Sequence, residues 1–560
     1  MSSAGELKDQ GNALFAQKAY KDAIGKYSAA IALDGANAVF YSNRAACHLA
    51  LTAYGKARDD ATKATELDPG FSKAWGRLAT AQDALGQPAA AAAAWTQALE
   101  HLPDTPADAP ARASYATRYT QSIARVRATD ASVVAPAPAF QPHQRPWARA
   151  KALLPRLRRE GKLDSSAFVI EYAAAQFEPA VADMLKMQLT VTPMGYLCIG
   201  SNVVVEQLSN AILQDHRCFY IAHKNFVDKY NDQVKAELYQ AGAHEILPIW
   251  SAERLIAAFR TMHAQGGFDK TRPAIATLIR VVFLNAFMRG GLNRRHAEAV
   301  ADYDKILALQ RWGRAEWAHA GTDVRGAVFE QTFVRGVRAV RIEAYQQAWQ
   351  ADHASGRFSL AALDAEADAL LADIAAQPPH DLAGYPGFRS AFWAYPAGRA
   401  LSMKGFAAFQ AVRSGEYADP EDARAKLRRA SELYFAAADK YPQDDESHVC
   451  AYFPPPLPCS APSPSPSPRA GFLKIGLDAL LIAGTPLRAC LPVVERMRAA
   501  LPAMRAIWAH STMALEGRDR VLQDVLDWDV AVRARVARGE VALEDRVRPA
   551  WLDSTGVRLF

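Results

Sequence analysis

The dominant pattern along the chain is a register of small, aromatic and polar positions that returns every 34 residues through the first hundred. Leu7, Tyr41 and Trp75 fall in one column, and Gly11, Ala45 and Ala79 in the next. Ala23, Ala57 and Ala91 form a third, and Ala30, Ala64 and Ala98 a fourth. Tyr27, Ala61 and Trp95 share a further position. A fixed period of this length, with apolar residues at helical spacing inside it, predicts a stack of two-helix units. Small residues let the helices approach closely, and the aromatics fill the space beside them. Gly35, Pro69 and Pro103 end the second helix of successive units. One helix pair cannot bury its apolar face alone, so about three are needed, plus a cap. The amphipathic stretch 111–128 stands where that cap belongs.

The polar positions of the same register carry the candidate chemistry. Lys8 and Asn12 are four apart on the first helix of repeat one and so share a face. Lys73 and Arg77 are four apart on the first helix of repeat three, and Asn43 sits one period before Arg77. Stacking would gather these five side chains in one groove, as two amides and three cations. A terminal Asp offers two carboxylates, one from the main chain and one from its side chain. Lys8, Lys73 and Arg77 can meet them with charge-assisted hydrogen bonds of about 1.5–3 kcal/mol each before entropy and desolvation. Asn12 and Asn43 can donate amide protons without adding charge. Asparagine is a poor helix-interior residue unless its amide is used, which singles these two out.

The 34-residue period with these small columns resembles the tetratricopeptide repeat. The five polar residues, with the segment Asn37-Ala-Val-Phe-Tyr-Ser-Asn-Arg-Ala-Ala46, are similar to the carboxylate-clamp class of tetratricopeptide co-chaperones, which includes the heat-shock organising protein and the small glutamine-rich tetratricopeptide protein. The resemblance covers residues 5–128. It implies a groove lined by first helices in which Lys8, Asn12, Asn43, Lys73 and Arg77 grip the C-terminal Glu-Glu-Val-Asp of the seventy- and ninety-kilodalton heat-shock chaperones. Two departures stand out: repeat one ends in Asp34-Gly-Ala-Asn37 without a proline, and the run Pro88–Ala94 makes the last pair small-sided.

The expected organisation is all-α: a three-repeat solenoid with its cap over 1–128, a Pro/Ala-rich linker over 129–146, and a mainly helical domain over 147–442. A Pro/Ser-rich insertion over 443–470 and a C-terminal helical segment over 471–560 follow. Helical periodicity places helices at 147–159, 179–188, 227–241, 251–264, 273–288, 296–312, 323–351, 360–376 and 421–440. Later ones fall at 471–483, 487–502, 503–516 and 518–538. Residues 168–171, 194–199 and 218–222 read as short extended pieces. Arg294–Gln310 and Glu421–Pro442 read as degenerate second helices of the same repeat, which points to an irregular helical-repeat domain. The segment 452–468, rich in Pro-Ser, reads as an extended linker with PxxP spacing, and a translated intron would look the same.

Composition adds limits. With 560 residues, half of them apolar, the chain is expected to form two to four domains. The N-terminus lacks an apolar signal core, and the apolar stretch 475–494 is interrupted by Asp478, Pro486, Arg488 and Pro492, so a cytoplasmic protein without a membrane span is expected. The six cysteines match neither zinc nor disulfide spacing. Net charge is +6, and the arginine patches at 156–159 and 294–295 lack interleaved aromatics, so nucleic acid is not an expected partner. Gly195-Tyr-Leu-Cys-Ile-Gly200 lacks the Lys and Ser/Thr of a phosphate loop. His216/Cys218 and His448/Cys450 are isolated pairs, and Asp444-Asp445-Glu446 reads as a solvated run. The expectation is therefore an adaptor, with no enzyme activity, cofactor or metal; the alternatives are an unrecognised catalytic domain in 147–560 recruited by the clamp, and a scaffold for another acidic C-terminus.

Overall fold

The computed structural model describes residues 3–103, 105–130, 141–192, 195–221, 223–379, 386–449 and 472–555. Contacts divide the chain into two compact units, Met1–Ala135 with Ile246–Leu255, and Pro136–Glu245 with Ile256–Phe560. Of the expected linker, residues 131–140 lie outside the described part; of the expected insertion, 450–470 do.

The first unit is built from α1 (Ala4–Ala16), α2 (Tyr20–Leu33), α3 (Ala38–Ala50), α4 (Tyr54–Leu67), α5 (Ser72–Ala84), α6 (Pro88–Glu100) and the capping helix α7 (Ala109–Asp130). Each of the small columns is sealed: Ala23, Ala57, Ala91, Ala30, Ala64, Ala98, Ala45 and Ala79 are all fully buried. Gly11 shows why. A Cβ there would lie 2.6 Å from the Tyr27 ring, so glycine is what admits the aromatic of the paired helix. The small-sided last pair is filled from outside its own repeat, by Tyr115 and Tyr119 of α7 packing against the Trp95 cluster.

The period is also written in the backbone. Lys18, Thr52 and Gly86, spaced by 34, all have positive φ, at 62°, 57° and 71°. After each, the next amide donates back to a carbonyl five residues earlier: Ala19 to Leu14, Ala53 to His48 and Gln87 to Gln82, each at 2.9 Å. This left-handed cap closes the first helix and turns the chain into the second. Consecutive first helices touch, α1 with α3 and α3 with α5, more than second helices do, so the stack curves toward the first helices.

The second unit is also helical. Its longer helices are α8 (Pro146–Arg159), α9 (Ala167–Lys186), α10 (Val204–Asp215), α11 (Phe226–Gln240), α12 (Ala252–Gly291), α13 (His296–Glu316) and α14 (Gln331–Ala351). They continue with α15 (Leu360–Ala376), α16 (Tyr395–Arg413), α17 (Pro420–Ala438), α18 (Phe472–Ile482), α19 (Leu487–Trp508) and α20 (Arg518–Ala537). β1 (Gln188–Thr192) and β2 (Gly195–Ile199) form one antiparallel ribbon, with Leu189 opposite Cys198. The helical-repeat expectation holds at α16–α19. The turns before α17 and α19 use Gly415 and Gly484 at positive φ, with the same five-residue return bond as the N-terminal repeats. A Cβ at Gly476 of α18 would lie 2.4 Å from the Phe435 ring of α17, repeating the glycine–aromatic device.

Several local expectations are corrected. Residues 168–171 are not extended but belong to the first turns of α9. Residue 188 opens β1, not the end of a helix. Residues 216–218 form a 3-10 turn, and the described part of 218–222 contains no strand. The predicted helix 323–351 is broken at Gly326, where φ is 101°. The predicted pair 487–502 and 503–516 is instead one helix running through Pro502 to Trp508, then a short turn of helix at Thr512–Leu515. α12 is long and apolar enough by composition to cross a membrane, although most of its apolar window is buried in the protein. Its backbone leaves helical geometry at Gly267, between the two helices the sequence predicts there.

Candidate functional site

The starts of the first helices are fixed locally. Ser3 and Glu6 form a reciprocal capping box on α1, which sets the phase of Lys8 and Asn12 one turn later. Asn37 caps α3 by accepting from the Val39 amide at 3.1 Å. Ser72, the first residue of α5, donates to the Ala98 carbonyl at 2.7 Å, tying that helix to the end of α6.

Three of the five expected residues are joined by hydrogen bonds across all three first helices. Arg77 Nη1 donates to Asn43 Oδ1 at 3.3 Å, and Asn43 Nδ2 donates to Asn12 Oδ1 at 3.2 Å. The Tyr27 hydroxyl also donates to Asn12 Oδ1, at 2.8 Å. A guanidinium can only donate, so the orientation of the whole row follows from Arg77. The Asn43 oxygen must face Arg77, its nitrogen must face Asn12, and the Asn12 oxygen is consumed by two donors. Among the described residues the Asn12 Nδ2 has no acceptor, so the row ends in an open donor. Lys8 lies one turn from Asn12, its Nζ 3.1 Å from Asp9, a pairing with an exposed carboxylate that water easily replaces. Lys73, one turn from Arg77, is exposed and has no protein partner among the described residues.

The supports of the row lie outside the five expected residues. Ser42 accepts a 2.5 Å hydrogen bond from Arg77 and is fully buried. Tyr27, a packing aromatic by its column, also orients Asn12 through its hydroxyl. Burial pushes its phenol up to about 12, so it stays a donor at any physiological pH. The Cys47 thiol is likewise pushed by burial to about 11 and stays neutral.

The electrostatics of two arginines differ sharply. Arg44 reaches Asp60 with two hydrogen bonds of 2.7 and 2.8 Å and Ser28 with a third. Arg77 is half-buried, and that burial lowers its guanidinium from the ordinary value, the phenols of Tyr115 and Tyr27 acting in the opposite sense. It has no carboxylate partner among the described residues. A desolvated cation without a counter-charge is stabilised by any anion that reaches it.

The second unit holds a denser set of ionisable groups, but they satisfy each other. The expected solvated run Asp444-Asp445-Glu446 is instead half-buried at Asp444 and buried at the other two; Asp445 is 0% and Glu446 2% exposed. Arg217 binds Asp445 through two 2.8 Å hydrogen bonds, reaches Asp215 at 2.7 Å, and lies 4.0 Å from the centre of the Trp508 ring. Tyr395 donates to Asp445 at 2.6 Å, while Glu446 takes Ser511 and Arg518. Burial pushes the Asp445 carboxyl up, and Arg217 with Tyr395 outweighs it, leaving it below the usual value. At Glu446 burial wins and the carboxyl lies above it. These carboxylates are closed to solvent and to substrate. Among the described residues no three His, Cys, Asp or Glu side chains converge as a metal site would require.

No family model matches the chain. Its N-terminal repeats are similar to those of several curated proteins. The heat shock protein sti1 homolog of Schizosaccharomyces pombe is 46% identical over 98 residues, covering 18% of this chain and 17% of that protein. The Hsp70-Hsp90 organizing protein of Triticum aestivum is 44% identical over 96 residues, 17% of this chain and 16% of the relative. Serine/threonine-protein phosphatase 5 of Homo sapiens is 44% identical over 87 residues, 16% of this chain and 17% of the relative. The chain thus spans about a sixth of the length of each of these relatives.

Proposed function

We propose that the N-terminal unit is a carboxylate clamp and that the chain is a cytoplasmic chaperone adaptor. In this reading Lys8, Asn12, Asn43, Lys73 and Arg77 grip the terminal carboxylates of a Glu-Glu-Val-Asp tail on a seventy- or ninety-kilodalton heat-shock chaperone. The observation that carries it is the half-buried Arg77 with no carboxylate of its own, at one end of a donor row whose other end is the free amide of Asn12. A chain terminus supplies the missing anion, which an internal peptide bond cannot. The likeness to an Hsp70-Hsp90 organizing protein supports the choice of partner. The domain division carried with the proposal is repeats over 1–128, a linker over 129–146, a helical domain over 147–442, an insertion over 443–470 and a helical end over 471–560, except that the buried Asp445 and Glu446 pack as part of the second unit and not as insertion.

A second reading is favoured by the similarity to a phosphatase: the clamp would recruit a catalytic domain held in 147–560. The closure of the Asp215–Arg217–Asp445 cluster weighs against it, because those acids have no route to a substrate.

The test is a calorimetric titration of the full chain with a peptide ending in Glu-Glu-Val-Asp. Affinity near the micromolar range is expected, about −8 kcal/mol. The C-terminally amidated peptide should bind at least tenfold more weakly, and equal binding of the two forms would sink the clamp.

A further inference from the structure

The second unit carries a cleft of about 710 Å³ between α13 and α14. Four arginines line it in two rows, Arg311 and Arg314 on α13 and Arg338 and Arg341 on α14. Within each row the spacing is three residues, so both members face the same way. Leu307, Ala308 and Val334 line the same cleft and give it an apolar strip beside these cations. Apolar lining shared with cations differs from an ordinary solvated charged surface, and Asp304 and Glu366 line the cleft as well.

The charges do not cancel. Arg338 uses its Nε on Glu366 at 3.0 Å, and Arg341 its Nε on Asp304 at 2.5 Å. Arg314 meets only the neutral amide of Gln331, and Arg311 has no hydrogen bond or ion pair among the described residues. Four guanidiniums against two carboxylates leave a local excess of two positive charges. Gln310 adds a second requirement. It is 1% exposed and lines the cleft; its Nε2 donates to the Val328 carbonyl, but its Oε1 has no hydrogen-bond partner. An occupant that completes the site therefore brings carboxylates to both rows, apolar side chains to the strip, and an N–H donor for Gln310.

We propose that this cleft is a second peptide-binding site, separate from the N-terminal clamp, whose ligand is an acidic segment of a partner protein with apolar residues among its carboxylates. A peptide meets all three requirements at once: an extended strand sends successive side chains to opposite sides, and its main chain supplies amide protons. A free phosphate or polyphosphate answers the arginines alone, leaving the strip and the Gln310 oxygen unmet. The site reads internal sequence, because it offers no arrangement specific to a chain terminus.

The probe is a fluorescein-labelled acetyl-Glu-Leu-Glu-Glu-Leu-Glu peptide with an amidated C-terminus, which presents no terminal carboxylate to the clamp. Fluorescence anisotropy with the full chain should show saturable binding that weakens with salt, and at least tenfold weaker binding of the Lys-Leu-Lys-Lys-Leu-Lys counterpart. Arg311→Glu with Arg314→Glu should weaken it tenfold or more. Arg311→Gln, a milder change at an exposed residue, should weaken it about threefold with the melting curve unchanged, and Lys73→Ala should leave it as it is. Binding within twofold of the parent by both arginine variants overturns the proposal, as does loss on Lys73→Ala. Displacement of the peptide by an equal concentration of pyrophosphate overturns it too, and reassigns the cleft to free polyanions.

Discussion

Asn43→Asp separates the clamp's binding role from its structural one. The new carboxylate remains an acceptor for Arg77, now as a charge-assisted pair worth about 1.5–3 kcal/mol in place of a bond to a neutral amide. It loses the donor that reaches Asn12 Oδ1 at 3.2 Å, worth about 0.5–1.5 kcal/mol. Folding stability should therefore hold or rise slightly. Binding moves the other way. The substitution supplies Arg77 with the anion that the ligand would have brought and sets a second negative charge beside the ligand's own. At ~5 Å the repulsion is about 0.8 kcal/mol in water and about 3 kcal/mol at an effective dielectric of ~20. The expected loss of affinity is thus roughly 4- to 150-fold. Calorimetry with the Glu-Glu-Val-Asp peptide and a urea melt of the same preparation read both quantities. A variant that binds within twofold of the parent, or that loses stability and affinity together, would refute the claim that the unpaired Arg77 is what receives the ligand.

Three further outcomes follow from the geometry. Thr52 is β-branched and exposed at φ 57°, so Thr52→Gly should relieve about 1–2 kcal/mol of left-handed strain against about 0.5–1 kcal/mol of added chain entropy, raising the urea midpoint of the first unit slightly; a lowered midpoint would contradict the repeat-turn account. Arg217→Met strands Asp215 and Asp445 and should destabilise the second unit by about 3–5 kcal/mol, and adding Asp445→Asn should recover part of that loss, as measured by urea unfolding; no recovery would mean the pairing is not what Arg217 contributes. Burial holds His448 below its ordinary value near 6.5, its Nδ1 lying 2.8 Å from the Ala438 carbonyl, so its stabilisation is present above that pH and lost as pH falls through the lower folded value. Glu446, raised by burial, works in the opposite sense above its ordinary value; the check is therefore a parent-against-His448→Gln comparison at each pH from 7.5 to 5, in which the parent should lose more stability on acidification.

The repeats were legible because each residue of a period meets the same neighbours as its counterpart 34 positions away, so burial, turn and polarity are each stated three times. The polar row inherited that clarity: once the register is set, Asn12, Asn43 and Arg77 have nowhere else to be. The second unit lacks such redundancy, and its errors share a cause. The β-rich string Phe168-Val-Ile-Glu171 reads as extended on local propensity, but α9 is started there by a distant group. Asp444 accepts from the Ser166 amide at 2.8 Å and from the Ser165 hydroxyl, capping the helix across 278 residues of sequence. The same Asp444 was read as solvated. Ser165, which also accepts from the Ala167 amide at 3.1 Å, is the local half of this start, while the Asp444 half comes from too far along the chain to be read at either end. Tyr27 escaped notice for a different reason: aromatic columns advertise packing, and only the hydroxyl's hydrogen bond reveals its polar task.

The span of these bonds also orders events on the ribosome. Asn12, Asn43 and Arg77 find each other across 31 and 34 residues, so the N-terminal row is complete soon after the third repeat emerges. Arg217 must wait for Asp445, another 228 residues. At about 5–20 residues per second that is roughly ten to fifty seconds of synthesis. Through that interval the nascent chain presents a completed polar row ahead of a half-made body whose charges still lack their partners. If the row holds a ligand as proposed, that ligand is recruited before the remainder of its own chain has folded.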